Sequence, residues 1–462
     1  MKKITLFLLS ISALIFASAT VDLTNLFQYA NQQKPAYILK DNTPGTNAIT
    51  NAGATLGRVL FYDKKLSLNN TVACASCHVQ QFAFGDTAVL SRGINGELTV
   101  RHSMRLINAR FGNEQRFFWN ERAANLEQQT TQPIQDHVEM GFSGLNGNPG
   151  FDSLLRKINN LDYYKKLLKF VYGKDTVFNE LMVQRNLAQF VRSIQSFDSK
   201  YDIGRALVNN DNQPFPNFTA EENLGKQLFL QPPPQGGAGC QGCHRAPEFD
   251  IDPASRNNGI IGVAGSTAID LNNTRSPSLR DLFNPNGNLN GPLMHNGIFT
   301  NINQVINHYN IIPNPPANTN LDPRLTPGGQ PQRLNLTQAQ REALIAFLQT
   351  LTGNDVYTNP KWSNPFDENG NIEIKDVSTF ISNYDAEILK IYPNPVNDVL
   401  FIEAKQQSYN LFIYNIKGQQ LLNTQINGNS KINVSELPKG ILLLQLFEHN
   451  KLVMSKKFIK SE

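Results

Sequence analysis

Apolar residues recur at helical spacing through the first three quarters of the chain. The runs Phe151–Phe170 and Phe178–Phe197 carry them three or four residues apart, and Asn223–Phe229 and Thr337–Leu351 show the same pattern. This period is typical of amphipathic helices that bury one face against a core. The larger part of the chain is therefore predicted to be mainly α-helical.

The period changes to two near the end of the chain, which is typical of strands with one buried face. Five strands are expected, at Val399–Ile402, Tyr409–Tyr414, Gln420–Ile426, Ile441–Phe447 and Leu452–Ile459. Turn-forming Gly, Asn and Pro residues separate them. Residues 389–462 are therefore predicted to form a small all-β sandwich. Residues 354–388, rich in Asn, Asp, Ser and Pro, are predicted to form a linker.

Length and composition exclude one class of function. The chain has 462 residues, enough for two or three domains, and 40% of them are apolar. Charged residues make up 17%, and the net charge is only +4. A nucleic-acid-binding protein would show a strongly basic face, so we expect no nucleic-acid partner.

The N-terminus has the three parts of a secretory signal peptide. Lys2 and Lys3 supply the positive charge, Ile4–Phe16 the apolar segment, and Ala17-Ser18-Ala19 the cleavage motif. The apolar segment is too short for an anchoring transmembrane helix. We expect residues 1–19 to be removed on export, which leaves no transmembrane segment in the mature chain.

All four cysteines lie in two motifs of the form Cys-x-x-Cys-His, namely Cys74-Ala75-Ser76-Cys77-His78 and Cys240-Gln241-Gly242-Cys243-His244. Two thiols at this spacing can form thioethers with haem vinyl groups, and the next His can ligate the iron. A zinc site would need four ligands, and a thioredoxin-like redox motif gives no reason for His after both. We predict two covalent c-type haems, attached at Cys74, Cys77, Cys240 and Cys243, with His78 and His244 as iron ligands.

Each haem motif follows a segment of the form Gly-Arg/Lys-x-Leu-Phe, at Gly57–Phe61 and at Gly225–Phe229. The repeat indicates one haem-binding unit that occurs twice. The polar stretch Asn209–Pro214 marks a candidate boundary between the copies. We place the first domain at residues 20–208 and the second at 209–353.

The residues after the first motif resemble those of the bacterial di-haem cytochrome c peroxidase and MauG family. The segment Phe118–Ala123 is similar to that family's Phe-Trp-Asp-Gly-Arg-Ala. Gln129 comes ten residues after Trp119, and Glu139-Met140 comes ten further on, as in the family. The resemblance covers about residues 50–350. It implies two class I cytochrome c-like domains, the first peroxidatic and the second for electron transfer.

The resemblance also implies roles for three side chains. Glu139 would move a proton between the two oxygens of hydrogen peroxide, as a carboxylate above the first haem can do. Gln129 would be its hydrogen-bonding neighbour, and Trp119 would lie between the haems and couple them. Each residue alone would be interpreted as an ordinary core or surface residue, but their joint spacing favours the functional interpretation.

One segment departs from the family pattern. The family's peroxidases place a removable distal His within Ser-x-Gly-His-Gly, and this chain has Ile94 at the His position of Ser91–Gly96. Because Ile94 cannot ligate iron, we expect a five-coordinate first haem that is open to peroxide without reductive activation. His102 is a nearby substitute, although its context aligns better with the family's Arg-Asn-Ser-Pro segment.

By the family's spacing, the second axial ligand of the haem at His244 falls on Tyr309, where the peroxidases have Met and MauG has Tyr. A phenolate is a hard, anionic donor that stabilises oxidised iron. His308 is the second candidate and Met294 the third.

The resemblance further implies a calcium ion between the two haem domains. Two of its ligands would be the backbone carbonyls of Asn290 and Pro292. The family's ligating Asn corresponds to His102 in this chain. Since calcium prefers hard oxygen donors, His102 weakens the calcium expectation.

The C-terminal segment resembles the type A sorting domain of the type IX secretion system, through Ile391–Asp398, Leu411–Gly418 and Leu437–Ile441. The resemblance implies type IX secretion machinery as a partner. It also implies transit through the periplasm to the cell surface or the medium. A carbohydrate-binding or adhesive sandwich is the alternative interpretation.

Three functions follow from these features. The leading hypothesis is an exported di-haem peroxidase that reduces hydrogen peroxide with electrons from a small cytochrome c or cupredoxin. The second is a MauG-like oxidase of a protein or organic substrate, acting through high-valent iron, towards which Ile94 and Tyr309 both point. The third is a non-catalytic surface electron-transfer cytochrome, against which Glu139 and Gln129 argue.

Overall fold

The computed structural model describes residues 19–461 except 252, 254, 377–389, 405–407, 417, 449 and 450. Residues 1–18 of the expected signal peptide and residues 377–388 of the expected linker lie outside this part. Within it, no helix is both long and apolar enough to cross a membrane.

The described chain forms two compact units. Leu26–Glu373 belong to the first unit, and Asp22–Asn25 with the residues from Ile374 onward belong to the second. Both haem motifs fall in the first unit, so the two predicted haem domains together form one compact body.

The first unit is mainly helical, as the apolar period predicts. Its helices are α1 (Asn51–Tyr62), α2 (Cys74–Cys77), α3 (Leu126–Gln135), α4 (Phe151–Asn159), α5 (Asp162–Tyr172), α6 (Glu180–Ser193), α7 (Lys200–Ala206), α8 (Ala220–Leu230), α9 (Ile302–Asn310) and α10 (Gln338–Gln349). Long loops connect them.

The internal repeat corresponds to a helix pair that occurs twice. Helix α1 packs on α6, and α8 packs on α10. A Cβ atom at Gly57 would lie 2.0 Å from the Asn186 carbonyl oxygen, and one at Gly225 would lie 1.8 Å from that of Ala343. Only glycine permits such an approach, so the repeated Gly lets each first helix contact its partner and positions the haem motif that follows.

The expectation of one helix over Phe151–Phe170 is wrong. Helix α4 ends at Asn159 and α5 begins at Asp162, and Leu161 between them is extended. Apolar residues keep their spacing on both sides of the break, because α4 buries Leu154 and Ile158 and α5 buries Tyr164 and Leu167. The period alone therefore could not reveal the interruption.

The first part of the predicted linker is not a linker. The side chain of Trp362 is only 1% exposed. The Tyr62 hydroxyl donates to the Trp362 carbonyl oxygen at 2.7 Å, and Arg58 Nε donates to that of Ser363 at 2.6 Å. This segment therefore packs against α1. Its polar composition gives no indication that it contains a buried tryptophan.

The strands are β1 (Thr20–Asp22), β2 (His244–Arg245), β3 (Asp250–Ile251), β4 (Glu373–Lys375), β5 (Lys390–Tyr392), β6 (Val399–Glu403), β7 (Ser408–Asn415), β8 (Gln420–Asn427), β9 (Ser430–Asn433), β10 (Gly440–Glu448) and β11 (Lys451–Lys460). Strands β5 to β11 form two antiparallel sheets, ordered β11-β10-β7-β8 and β5-β6-β9. Both sheets contribute to one apolar core, which includes Leu400, Ile432, Leu411 and Leu444. The C-terminal region is therefore a small β-sandwich. The sequence pattern identified five of its strands and missed β5 and β9.

Candidate functional site

The first Cys-x-x-Cys-His motif forms the single helical turn α2. The backbone N–H of Ala73 donates to Ser76 Oγ at 3.0 Å at the start of this turn. His78 follows directly, and its Nδ1 lies 3.1 Å from the Phe84 carbonyl oxygen. A carbonyl only accepts hydrogen bonds, so Nδ1 carries the proton and Nε2 is the nitrogen that would ligate iron.

None of the four motif cysteines forms a disulfide, and at least three of their thiols are chemically unlike those of a redox motif. Burial raises the pKa of Cys74 and of Cys240 to about 12 and that of Cys77 to about 11. Thioredoxin-type motifs instead lower the pKa of the attacking thiol.

The described residues also do not offer a zinc-type ligand set. They contain no group of three or more His, Cys, Asp or Glu side chains that could hold a metal ion. Two neutral thiols and one free ring nitrogen fit a covalently attached haem.

A cavity of about 190 Å³ lies beside the first motif. Its lining includes Cys74, Cys77 and His78 from the motif, together with Trp119, Gln129 and Glu139. The structure thus brings the three side chains implied by the family resemblance to the same cavity as the first haem motif.

Glu139 lies in the loop after α3, where its backbone N–H donates to Asp136 Oδ1 at 2.9 Å. Burial and the negative charge of Asp136 raise the pKa of the Glu139 carboxyl to about 7, and Arg122 opposes this rise. Near neutral pH both protonation states are populated, so this group can accept a proton and return it.

Gln129 is presented by α3, which is fixed to α6 by a buried ion pair. Arg192 Nη1 and Nη2 donate to the two carboxylate oxygens of Glu127 at 2.6 and 3.0 Å. Asn47 Nδ2 also donates to that carboxylate at 2.7 Å. This fork of charge-assisted hydrogen bonds holds the helix that places Gln129 on the cavity wall.

Ile94 is buried and does not line the cavity. Its N–H donates to the Val138 carbonyl oxygen at 3.1 Å. A Cβ atom at Gly141 would lie 2.4 Å from Ile94 Cδ1. The segment in which the family's peroxidases carry a removable His therefore packs against the loop that carries Glu139.

A second cavity, of about 620 Å³, lies beside the second motif. Cys240, Cys243 and His244 line it, as do Tyr309 on α9 and Met294. Burial lowers the pKa of His244 to about 4, and the Pro277 carbonyl opposes this shift. The imidazole is therefore neutral at physiological pH, which is the form that ligates iron.

The structure separates the three candidates for the second axial ligand. Asn258 Nδ2 lies 3.0 Å from the Tyr309 hydroxyl and 3.3 Å from the Met294 sulfur, so one amide contacts both candidates on the cavity wall. His308 does not line the cavity, and its Nε2 lies 2.8 Å from the Asn258 carbonyl oxygen. The geometry therefore disfavours His308.

Trp119 lines both cavities. Its Nε1 donates to the His102 carbonyl oxygen at 2.8 Å, and its own carbonyl accepts from the N–H groups of Thr274 and Arg275 at 2.9 and 3.1 Å. Its ring lies edge-on to His295, with 6.2 Å between the ring centres. Both backbone and side chain hold this indole between the two haem motifs.

The residue between the two expected calcium ligands lies beside an imidazole. A Cβ atom at Gly291, between Asn290 and Pro292, would lie 3.7 Å from His102 Cε1. His102 Nδ1 lies 3.0 Å from the Ala88 carbonyl oxygen, and burial lowers the pKa of His102. A neutral ring therefore occupies the neighbourhood to which the resemblance assigns the calcium ligands.

Residues 51–211 match the family model for di-haem cytochrome c peroxidase, and residues 390–461 match the model for a secretion system C-terminal sorting domain. Over residues 51–211 the chain is therefore similar to the di-haem cytochrome c peroxidase family. Both resemblances found in the sequence are thereby confirmed.

Relatives of this chain carry both names of the family. Methylamine utilization protein MauG of Methylophilus methylotrophus is 27% identical over 317 residues, which cover 67% of this chain and 85% of that protein. Cytochrome c551 peroxidase of Nitrosomonas europaea is 25% identical over 372 residues, which cover 76% of this chain and 92% of that protein. These relatives support an oxidoreductase.

Two solved structures share the fold of the di-haem unit. A MauG-like protein associated with microbial copper homeostasis superposes with a TM-score of 0.58 at 24% identity, covering 72% of this chain and 99% of that one. A variant of the diheme peroxidase BthA from Burkholderia thailandensis gives a TM-score of 0.52 at 20% identity, covering 73% and 96%. At these identities the likeness shows the fold.

Sequence reasoning missed two residues of the cavity walls. Arg105 stands in the largely apolar stretch Met104–Ile107, a signal that was available in the sequence. Asn258 had no such signal, because its contacts with Met294 and Tyr309 arise only when distant segments meet.

Proposed function

We propose that the protein is an exported di-haem peroxidase that reduces hydrogen peroxide to water with electrons from a small redox protein. The observation that carries this proposal is the convergence of Glu139 and Gln129 on the cavity that holds Cys74, Cys77 and His78. An electron carrier has no need for a carboxyl with a pKa near 7 at this position.

Glu139 performs the proton transfer in this proposal. The first haem, when bound through Cys74, Cys77 and His78, supplies the iron that binds and reduces peroxide. The Glu139 carboxylate takes the proton from one peroxide oxygen and returns it to the other, which leaves as water. Gln129, on the wall of the same cavity, would be the hydrogen-bonding neighbour of Glu139. The complete reaction consumes two electrons and two protons and yields two waters.

Trp119 and the second haem site serve electron supply. Trp119 lines both cavities and is therefore placed to couple them. His244 and Tyr309 are the proposed ligands of the second haem, with Met294 as the alternative to Tyr309. The electron donor would be a small cytochrome c or cupredoxin.

A MauG-like oxidation of a protein or organic substrate is the second candidate function. It is favoured by Tyr309, whose hydroxyl faces the second cavity, and by Ile94, which leaves no removable ligand in its segment. A relative named MauG is among the proteins similar to this chain. A calcium ion at Asn290 and Pro292 is compatible with either candidate function. The imidazole of His102 argues against such an ion.

Export follows from the two ends of the chain. The expected signal peptide directs the protein to the periplasm, and the sorting domain at residues 390–461 directs it onward through the type IX machinery. We propose that the mature enzyme works at the cell surface or in the medium.

Peroxide turnover tests the proposal. Purified protein with both haems attached is mixed with hydrogen peroxide, with and without a reduced cytochrome c or cupredoxin. A peroxidase oxidises the donor at two equivalents per peroxide. Donor that stays reduced, together with rapid oxidation of an added protein substrate, would point to the oxidase. No peroxide consumption in either arm would point to the electron conduit.

A further inference from the structure

Arg105 places a positive charge on the walls of both cavities. Its Nη2 donates to the Ser278 carbonyl oxygen at 3.0 Å, whereas its Nε is buried and has no hydrogen-bond partner. Across the described residues, no carboxylate forms a salt bridge with it. A guanidinium stays protonated in proteins, so this charge remains inside the molecule.

The stem of Arg105 is held in place by the loop after the first haem motif. A Cβ atom at Gly85 would lie 2.9 Å from Arg105 Cγ. The Gly85 carbonyl in turn accepts from the Val79 N–H at 2.9 Å, next to His78. The absent side chain of Gly85 therefore makes room for the arginine, and the haem-motif loop fixes where its charge lies.

Two other arginines on the cavity walls have acidic partners. Arg101 forms a salt bridge with Asp270, and Arg324 forms one with Asp322 at 2.6 Å. Burying a charge without a partner is costly, whereas a carboxylate can accept two parallel hydrogen bonds from a guanidinium. Arg105 differs from these two arginines because, across the described residues, no carboxylate forms a salt bridge with its donor fork, and Asp281 acts on its charge only through space.

We propose that Arg105 binds a haem propionate and helps to set the reduction potential of that haem. Propionates are the carboxylates that a c-type haem brings into its cavity. Because Arg105 lines both cavities, the propionate can come from the first haem or from the second, and the experiment below separates the two. The inference rests on the two haems of the proposed function.

A neutral residue at position 105 would leave that propionate without a counter-charge. The uncompensated negative charge disfavours addition of an electron to the nearby iron, so the reduction potential falls. Arg105→Met keeps a long apolar stem and removes the charge. Arg105→Lys keeps the charge but loses the planar fork.

The test is a spectroelectrochemical titration of both haems in the wild type and in Arg105→Met. Arg156→Met is the control, because it removes the same charge from an exposed position on α4. We expect Arg105→Met to lower the potential of at least one haem and Arg156→Met to change neither. The haem whose potential falls identifies the propionate, and a fall in both means that Arg105 bridges the two haems.

Haem content is measured by mass before the titration. It distinguishes a failure of the proposed function from a failure of the proposed role of Arg105. Wild-type protein without two covalent haems contradicts the proposed function. Two haems with unchanged potentials in Arg105→Met overturn the role of Arg105 alone. If Arg105→Met does not incorporate haem, the resonance Raman spectrum of Arg105→Lys is compared with that of the wild type. We expect a shifted propionate-bending band in the Arg105→Lys spectrum, and an unchanged band overturns the proposal.

Discussion

The cavity that holds the Glu139 carboxyl raises its pKa to about 7, because burial disfavours the charged form and Asp136 adds a like charge. An ordinary glutamate titrates near 4.3, so it would be fully ionised at neutral pH and a poor donor. The spacing after Trp119 identified Glu139 in the sequence. Its altered pKa depends on burial and on Asp136, which only the fold reveals.

The pH dependence of the reaction with peroxide should follow from this pKa. As pH falls through about 7, a growing fraction of Glu139 is protonated and cannot take the proton of peroxide. We expect the second-order rate constant to decrease towards acid, with an inflection near pH 7. The stopped-flow pH profile of Glu139→Gln should lack this inflection, and an identical inflection in both proteins would assign it to another group.

The second haem site gives a further prediction at single residues. Tyr309→Phe removes the hydroxyl that lines the cavity, whereas His308→Gln changes a side chain that faces the Asn258 carbonyl instead. Near-infrared magnetic circular dichroism of the oxidised protein should therefore change in Tyr309→Phe and stay constant in His308→Gln. A methionine band in the wild type would instead assign the ligand to Met294.

At the scale of elements, a helix pair supports each haem motif. Helix α3 places Gln129 on the wall of the cavity beside the first motif. Helix α3 is tied to α6 through Glu127 and Arg192, whose side chains are 12% and 2% exposed. Breaking a buried pair leaves an uncompensated charge, which typically costs about 3–5 kcal/mol. The ion pair is therefore expected to matter both for stability and for the placement of Gln129.

Arg192→Met should lower the free energy of unfolding by about 3–5 kcal/mol, measured by denaturant titration with haem loading verified. The matched control is Lys165→Met, which removes an exposed partner of Asp162 on α5. Because solvent screens exposed pairs, this control should leave the unfolding midpoint unchanged. Equal effects of the two substitutions would contradict the structural role of the buried pair.

The sequence pattern predicted elements better than their boundaries. The apolar period predicts helices α6, α8 and α10. It does not predict the break between Asn159 and Asp162, because apolar residues continue at helical spacing on both sides of it. The sequence does not predict that Trp362 is buried, because a single aromatic residue in a polar segment forms no periodic apolar pattern. The prediction that Ile94 does not ligate iron rests on its side chain alone, whereas its packing against Gly141 and Val138 is visible only in the fold.

At the scale of the whole molecule, two units have separate tasks. The first unit holds both haem motifs, and the second is a β-sandwich with its own apolar core. Motifs with fixed spacing allowed the sequence to identify both. The places of Arg105 and Asn258 on the cavity walls depend on Ser278 and Tyr309, which are far away along the chain.

Removal of residues 389–462 should separate export from chemistry. The truncated protein lacks the sorting domain, so it should accumulate in the periplasm of the producing cell, while the full chain reaches the surface or the medium. Cell fractionation with haem staining checks this outcome. Because both haem motifs lie in the first unit, the truncated protein should still carry two haems. Secretion of the truncated chain would contradict the sorting role.

We propose above that the cavity at His78 is a peroxide site in which Glu139 moves the proton. The most direct test of this proposal is the rate constant for the reaction of oxidised protein with hydrogen peroxide, measured by rapid mixing for wild type, Glu139→Gln and Glu97→Gln. Glu97 is an exposed glutamate outside the cavity. Since general acid–base groups typically contribute about 10²–10⁴-fold, Glu139→Gln should be slower by about that factor and Glu97→Gln should match the wild type. A wild-type rate constant in Glu139→Gln, with both haems attached, would contradict the account.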